Sequence, residues 1–192
     1  MNSKILERHL KVARALNQLL SEHSSDHIGV EDVCRLSGVP RSTFYRYFYN
    51  INEVSIWVFQ YLLEKNFASQ NLAFGWAHAL EQLFLDMLEW KSLFQQFFEN
   101  PAYDSVFGFA SRAGVQNFSA DAPKIMGRCL TQQDMSVMEY HGYAQASLCA
   151  KWAKDGMLIP PREMAAIMVQ FLPPVMLEYT HQAMQYYQKK PD

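Results

Sequence analysis

The chain has 192 residues, 49% hydrophobic and 19% charged, with a formal net charge of −2. That length can bury a sizeable core, as one large domain or a small one joined to a larger one, and the composition excludes a disordered chain. Three widely spaced cysteines, Cys34, Cys129 and Cys149, make neither a disulfide framework nor a zinc pattern, so a reducing, cytoplasmic setting is expected.

The small net charge hides an asymmetry. Residues 1–50 carry seven Lys/Arg against five acidic residues, whereas the rest of the chain carries ten against fourteen. A mildly basic head on an acidic body suits a protein that meets DNA through its head. Lys4, Glu7, Arg8 and Lys11 interrupt the first turns, which excludes the apolar core of a signal peptide. No run of about 18 apolar residues is present to span a bilayer. The expectation is a soluble intracellular protein with no membrane partner.

Ile5, Val12, Leu16 and Leu19 recur near helical spacing, and Glu7, Arg8, Lys11 and Arg14 occupy the opposite face. This predicts an amphipathic first helix over residues 3–22, ending at Ser24-Ser25-Asp26. A second helix should start near Gly29 or Val30, with Glu31 and Asp32 favourably placed at its positive end. Gly38 should end it, because glycine accepts the left-handed conformation of a tight inter-helix turn. Pro40 should open a third helix, where its missing N–H costs nothing.

In that third helix Phe44 and Phe48 are four residues apart and should face inward with Val33, Leu36 and Val39. Arg41, Ser42, Thr43, Tyr45, Arg46 and Tyr47 then point outward or sideways. Arginine can bond guanine bidentately, hydroxyls can bond phosphates or base edges, and tyrosine can pack on sugar or thymine. The pattern is that of a helix-turn-helix, which places side chains in the DNA major groove. A short amphipathic helix with a solvated basic face would show the same periodicity, so the spacing alone leaves the two readings even.

Val30-Glu31-Asp32-Val33, Ser37-Gly38-Val39-Pro40 and Ser42-Thr43-Phe44-Tyr45-Arg46-Tyr47-Phe48 resemble the N-terminal signature of the TetR family of transcriptional regulators nearly position by position. The close resemblance covers about residues 5–60. The C-terminal part is similar more loosely, through Tyr140-His141-Gly142, Trp152 with Gly156, and Pro161-Arg162-Glu163, in the manner of the branch that includes dihydroxyacetone kinase regulators. The resemblance implies a homodimer that binds a near-palindromic double-stranded DNA operator and usually represses transcription. It implies DNA contacts at Arg41, Ser42, Thr43, Tyr45, Arg46 and Tyr47. Two positions depart from the pattern: Gly29 stands where the family has a capping Ser or Thr, and Ile51 where it has a phosphate-binding Lys.

Asn50 followed by Glu53 predicts the N-cap of a long fourth helix over about 51–71, with Val54, Val58, Tyr61, Leu62 and Phe67 on its apolar side. A stiff helix of this kind can transmit a tilt between head and body. Further helices are expected over 76–90, 91–99 and 132–155, and from Pro161 to about Gln188 with a break at Pro173-Pro174. The fold class is therefore all-α. A helix-turn-helix DNA-binding domain over residues 1–50 joins a helical-bundle ligand-binding and dimerisation domain over 51–192.

Phe94, Phe98, Phe107 and Met138 are candidates to line a pocket for a small apolar or aromatic effector. Ordinary core packing accounts for the same stripe. Tyr143, Trp152, Met168 and Phe171 are candidates for a dimer seam, with Gly142 and Ala146 allowing close helix approach, and internal packing is again the alternative. His23 and His27 are four apart but lie beyond the first helix with no third ligand, so no metal site is expected. His141 is expected to be a satisfied core or interface residue. No phosphate loop, nucleophile elbow or acid–base pair occurs, so neither catalysis nor a cofactor is expected. The reading is a ligand-responsive DNA-binding regulator, with control by a protein partner as the alternative.

Overall fold

The computed structural model describes residues 3–99, 115 and 118–189. The described residues form helices joined by short turns, and no strand occurs among them. In chain order these are α1 (Ser3–Glu22), α2 (Val30–Ser37), α3 (Arg41–Tyr47), α4 (Ile51–Asn66), α5 (Ser69–Leu72), α6 (Trp76–Glu89) and α7 (Lys91–Glu99). They are followed by α8 (118–126), α9 (Gln132–Lys154), α10 (Pro161–Gln170) and α11 (Pro174–Gln188). The fold is all-α: an N-terminal helix-turn-helix region leads through α4 into a helical body.

Local chemistry sets most boundaries. Gly38 ends α2 at φ 68°, in the left-handed region that favours glycine. Gly29 lacks a capping side chain, yet its N–H donates to the Asp32 carboxylate at 3.0 Å, which keeps one half of a capping box. Asn50 accepts from the Glu53 N–H at 3.1 Å, and the Glu53 carboxylate accepts from the Tyr49 N–H at 2.7 Å. Thr131 and Asp134 form a reciprocal capping box that starts α9. Its other end closes through Gly156 N–H to Ala153 O and Met157 N–H to Trp152 O, the paired bonds of a Schellman turn. Pro173 precedes α11 in extended conformation and splits it from α10, as the sequence pattern requires.

The fourth helix is shorter than expected, ending at Asn66 rather than near residue 71. The reason is tertiary. The buried Asn66 amide donates to Leu62 O at 2.9 Å and to the Asp86 carboxylate of α6 at 2.6 Å. Lys65 reaches both oxygens of Asp86 at 2.8 Å, and Asn71 donates to the Lys65 carbonyl. Ala68 then turns extended and the short α5 begins.

Apolar packing is continuous from head to body. Leu16, Val33, Phe44, Val58, Phe84 and Met164 belong to one buried cluster that crosses α1, α2, α3, α4, α6 and α10. A second cluster, including Met138, Leu172, Met176 and Tyr179, joins α8, α9 and α11. Arg128 ties the same region together, donating to Asp134 at 2.9 Å and to Glu178 at 2.8 Å. One inward assignment fails: Leu36 is 44% exposed, because Val33 takes the buried position of α2 and Val30 and Cys34 flank it.

Candidate nucleic-acid interface and body cavity

Two buried rings hold α3 in place. Phe44 and Phe48 lie 5.5 Å apart, and Phe48 also meets His9 of α1 at 4.9 Å and Trp57 of α4 at 6.3 Å. With those rings inside, Arg41, Ser42, Tyr45 and Arg46 are exposed and Thr43 is half-buried. Arg41 forms an ion pair with Glu31 of α2 and lies 5.6 Å from the centre of the Tyr45 ring. The neighbouring Tyr45 and the Glu31 carboxylate push the pKa of the Arg41 guanidinium above its ordinary value.

Tyr47 is placed differently from its neighbours. It is half-buried, with its ring 4.6 Å from His9 and its hydroxyl accepting from Arg8 at 3.5 Å. The far end of α3 is thus fastened to α1. His9, buried among Tyr47, Phe48 and Trp57, carries a structural role that helical periodicity in α1 did not signal. Ile51 is half-buried against the head core, so its side chain supplies packing where a cation would supply charge.

In the body, α4, α6, α8, α9, α10 and α11 surround a cavity of about 400 Å³. Its walls are largely apolar, with Phe59 and Leu63 from α4, Phe67 just past its end, and Trp76, Leu83 and Phe84 from α6. Of the four residues expected to line a pocket, Met138 does so. Phe94 and Phe98 do not. They are buried, stacked on each other at 6.2 Å, and Phe94 meets Phe59 edge-on at 6.1 Å. Phe107 lies outside the described residues.

Two of the four expected seam residues are interior. Trp152 is 2% exposed, packs on Phe84 at 5.1 Å and donates its indole N–H to Ile159 O at 2.9 Å. Met168 is buried and lines the cavity, and Gly142 and Ala146 line it too, their small size leaving space inside the chain. Tyr143 and Phe171 are exposed at 47% and 71%.

His141 also differs from expectation. It lines the cavity, and its Nε2 is buried without a hydrogen-bond partner. Burial lowers its pKa. Cys149, on the same helix, is fully enclosed, and burial pushes its thiol up to about 12. His23 and His27 are exposed, and no group of three metal-ligating side chains occurs among the described residues. No helix among them is long and apolar enough to cross a membrane.

No family model matches the chain. It is 28% identical over 85 residues to the HTH-type dhaKLM operon transcriptional activator DhaS of Lactococcus lactis subsp. lactis (strain IL1403). That alignment covers 44% of this chain and 45% of the relative, so it spans less than half of either protein. A solved structure, the dihydroxyacetone kinase operon activator DhaS, superposes with a TM-score of 0.65 over 91% of this chain and 97% of its own, at 17% identity. The helical architecture is therefore shared along nearly the whole of both chains.

Proposed function

We propose that the chain is a DNA-binding transcriptional regulator that acts as a homodimer, with residues 1–50 as the DNA-binding unit and 51–192 as the ligand-binding and dimerisation unit. The observation that carries this is the exposed edge of α3, where Arg41, Ser42, Tyr45 and Arg46 project while Phe44 and Phe48 anchor the helix from beneath. Such an edge fits a major groove, and two copies fit a palindrome with half-sites about one helical turn apart. Arg46 is the strongest candidate for a base contact, since Arg41 is already engaged by Glu31. Of the residues expected at a seam, Tyr143 and Phe171 are exposed and available to serve it.

Support from relatives is consistent with regulation but not with the expected sign. The resemblance in the head favours repression, whereas both relatives are named as activators. A reporter driven by the neighbouring promoter, with and without the chain, decides the sign. The cavity supports control by a small molecule, and a regulator of this kind works in the cytoplasm. Control by a protein partner would use exposed apolar side chains such as Tyr140 and Leu177 instead.

The primary test is an anisotropy titration at fixed salt against duplexes from the chain's own chromosomal neighbourhood. Arg46→Ala should lower affinity for the best duplex about tenfold while leaving the dimer intact. Equal binding by both proteins removes Arg46 from the interface, and failure to bind any duplex overturns the assignment.

A further inference from the structure

Three buried side-chain atoms lack a hydrogen-bond partner: Trp76 Nε1, His141 Nε2 and Gln145 Nε2. All three residues line the body cavity. No other buried side-chain nitrogen or oxygen among the described residues is unpaired. Buried polar groups are almost always satisfied, because a donor stripped of water without a replacement is costly. Three exceptions on one chamber indicate what that chamber accepts.

An indole N–H can only donate, so Trp76 requires an acceptor, while the Gln145 amide and a neutral imidazole nitrogen donate or accept by rotation and by tautomer. Burial lowers the His141 pKa, which favours the neutral imidazole. His141 and Gln145 sit one helical turn apart on the cavity side of α9, and Trp76 comes from the start of α6. The missing partner therefore presents an acceptor.

Charge narrows the class further. Glu64 and Asp121 line the cavity, and the described lining residues include no lysine or arginine. A carboxylate or phosphate would lose its hydration beside two like charges, with no cation to receive it. A cation would leave the donors unanswered. Aromatic walls from Phe59, Phe67 and Phe84 suit a flat apolar body.

We propose that the cavity takes a neutral, mainly aromatic ligand bearing a carbonyl-type acceptor, which receives hydrogen bonds from Gln145 and Trp76 with His141 as the third polar partner. This rests on reading the cavity as the effector site of the regulator, and it specifies the effector's chemistry.

The test is calorimetry on the full chain without DNA, using 2-acetonaphthone, 2-ethylnaphthalene, 2-naphthoate and 2-naphthylmethylammonium. The ketone should bind about tenfold more tightly than the other three, since each of those leaves the donors unpaired or adds charge. The Trp76 indole N–H resonance, assigned with Trp76→Phe, should move with the ketone and not with the hydrocarbon. Gln145→Leu removes an unsatisfied donor, so it should fold at least as stably and bring ketone and hydrocarbon within about twofold. Equal binding of ketone and hydrocarbon by the wild type, preference for the anion or the cation, absence of ketone binding, or an unchanged preference in Gln145→Leu overturns the proposal. A chain that binds the ketone but no duplex loses its role as a regulator while the cavity assignment stands.

Discussion

Asn17, in the middle of α1, accepts a hydrogen bond at 2.9 Å from the backbone N–H of Leu93, in the first turn of α7. Its amide nitrogen donates to Glu89 O, the last residue of α6, at 3.2 Å. One side chain thus satisfies an exposed donor at the start of one helix and an acceptor at the end of another. Trp90, between those helices, has no side chain able to accept from Leu93, so the cap is supplied from α1. This amide therefore joins head to body in addition to α4 and the apolar cluster they share.

Asn17→Ala should lower unfolding free energy by about 1 kcal/mol, the usual cost of a lost cap, as measured by urea denaturation. The unfolding slope should stay unchanged, since no large surface is exposed.

Asp86→Ala should cost more, about 2 kcal/mol, because it strips a partner from the buried Asn66 amide and from Lys65 together. Thermal unfolding checks this. Lys65→Met should cost less, since that lysine is half exposed and its ion pair is screened.

Ile51→Lys should add one phosphate contact. The slope of log affinity against log salt should steepen by about 0.9, and binding at low salt should tighten. Because Ile51 is partly packed on the head core, the variant should also lose about 1 kcal/mol of stability. Titrations at several salt concentrations read the first effect and denaturation the second.

The Arg128 cluster gives a pH signature. The Thr131 backbone N–H, then Arg128 and the Thr131 hydroxyl, hold Asp134 below its ordinary pKa, and Arg128 does the same for Glu178. A carboxylate with a depressed folded-state pKa stabilises the fold above its unfolded pKa and loses that contribution as pH falls through the folded value. Arg128→Met should therefore lower the urea midpoint from about pH 5 upward, and the gap from wild type should narrow progressively as pH falls through and below the ordinary carboxylate range. A gap that is constant across that range would show that Arg128 acts through packing alone.

The head was legible because its signals are local. Gly38, Pro40 and the Asn50–Glu53 pair each act within a few residues, and each boundary lies where those residues put it. The end of α4 was not legible, since Asn66 meets Asp86 twenty residues further along. Helical spacing likewise could not separate Phe94, sealed between helices, from Met138, on the cavity wall. That difference depends on which helix lies opposite. Trp76, His141 and Gln145 look like ordinary interior or surface residues in the sequence, and only the folded arrangement around the cavity leaves their nitrogens unanswered.

The helix whose first turns pack beneath α3 also forms, at Phe59 and Leu63, part of the chamber wall. At about 1.5 Å per residue, Ile51 and Leu63 are about 18 Å apart on one rod. Under the proposed effector role of the chamber, a displacement at Leu63 travels along this rod to the helix-turn-helix region with no helix having to melt.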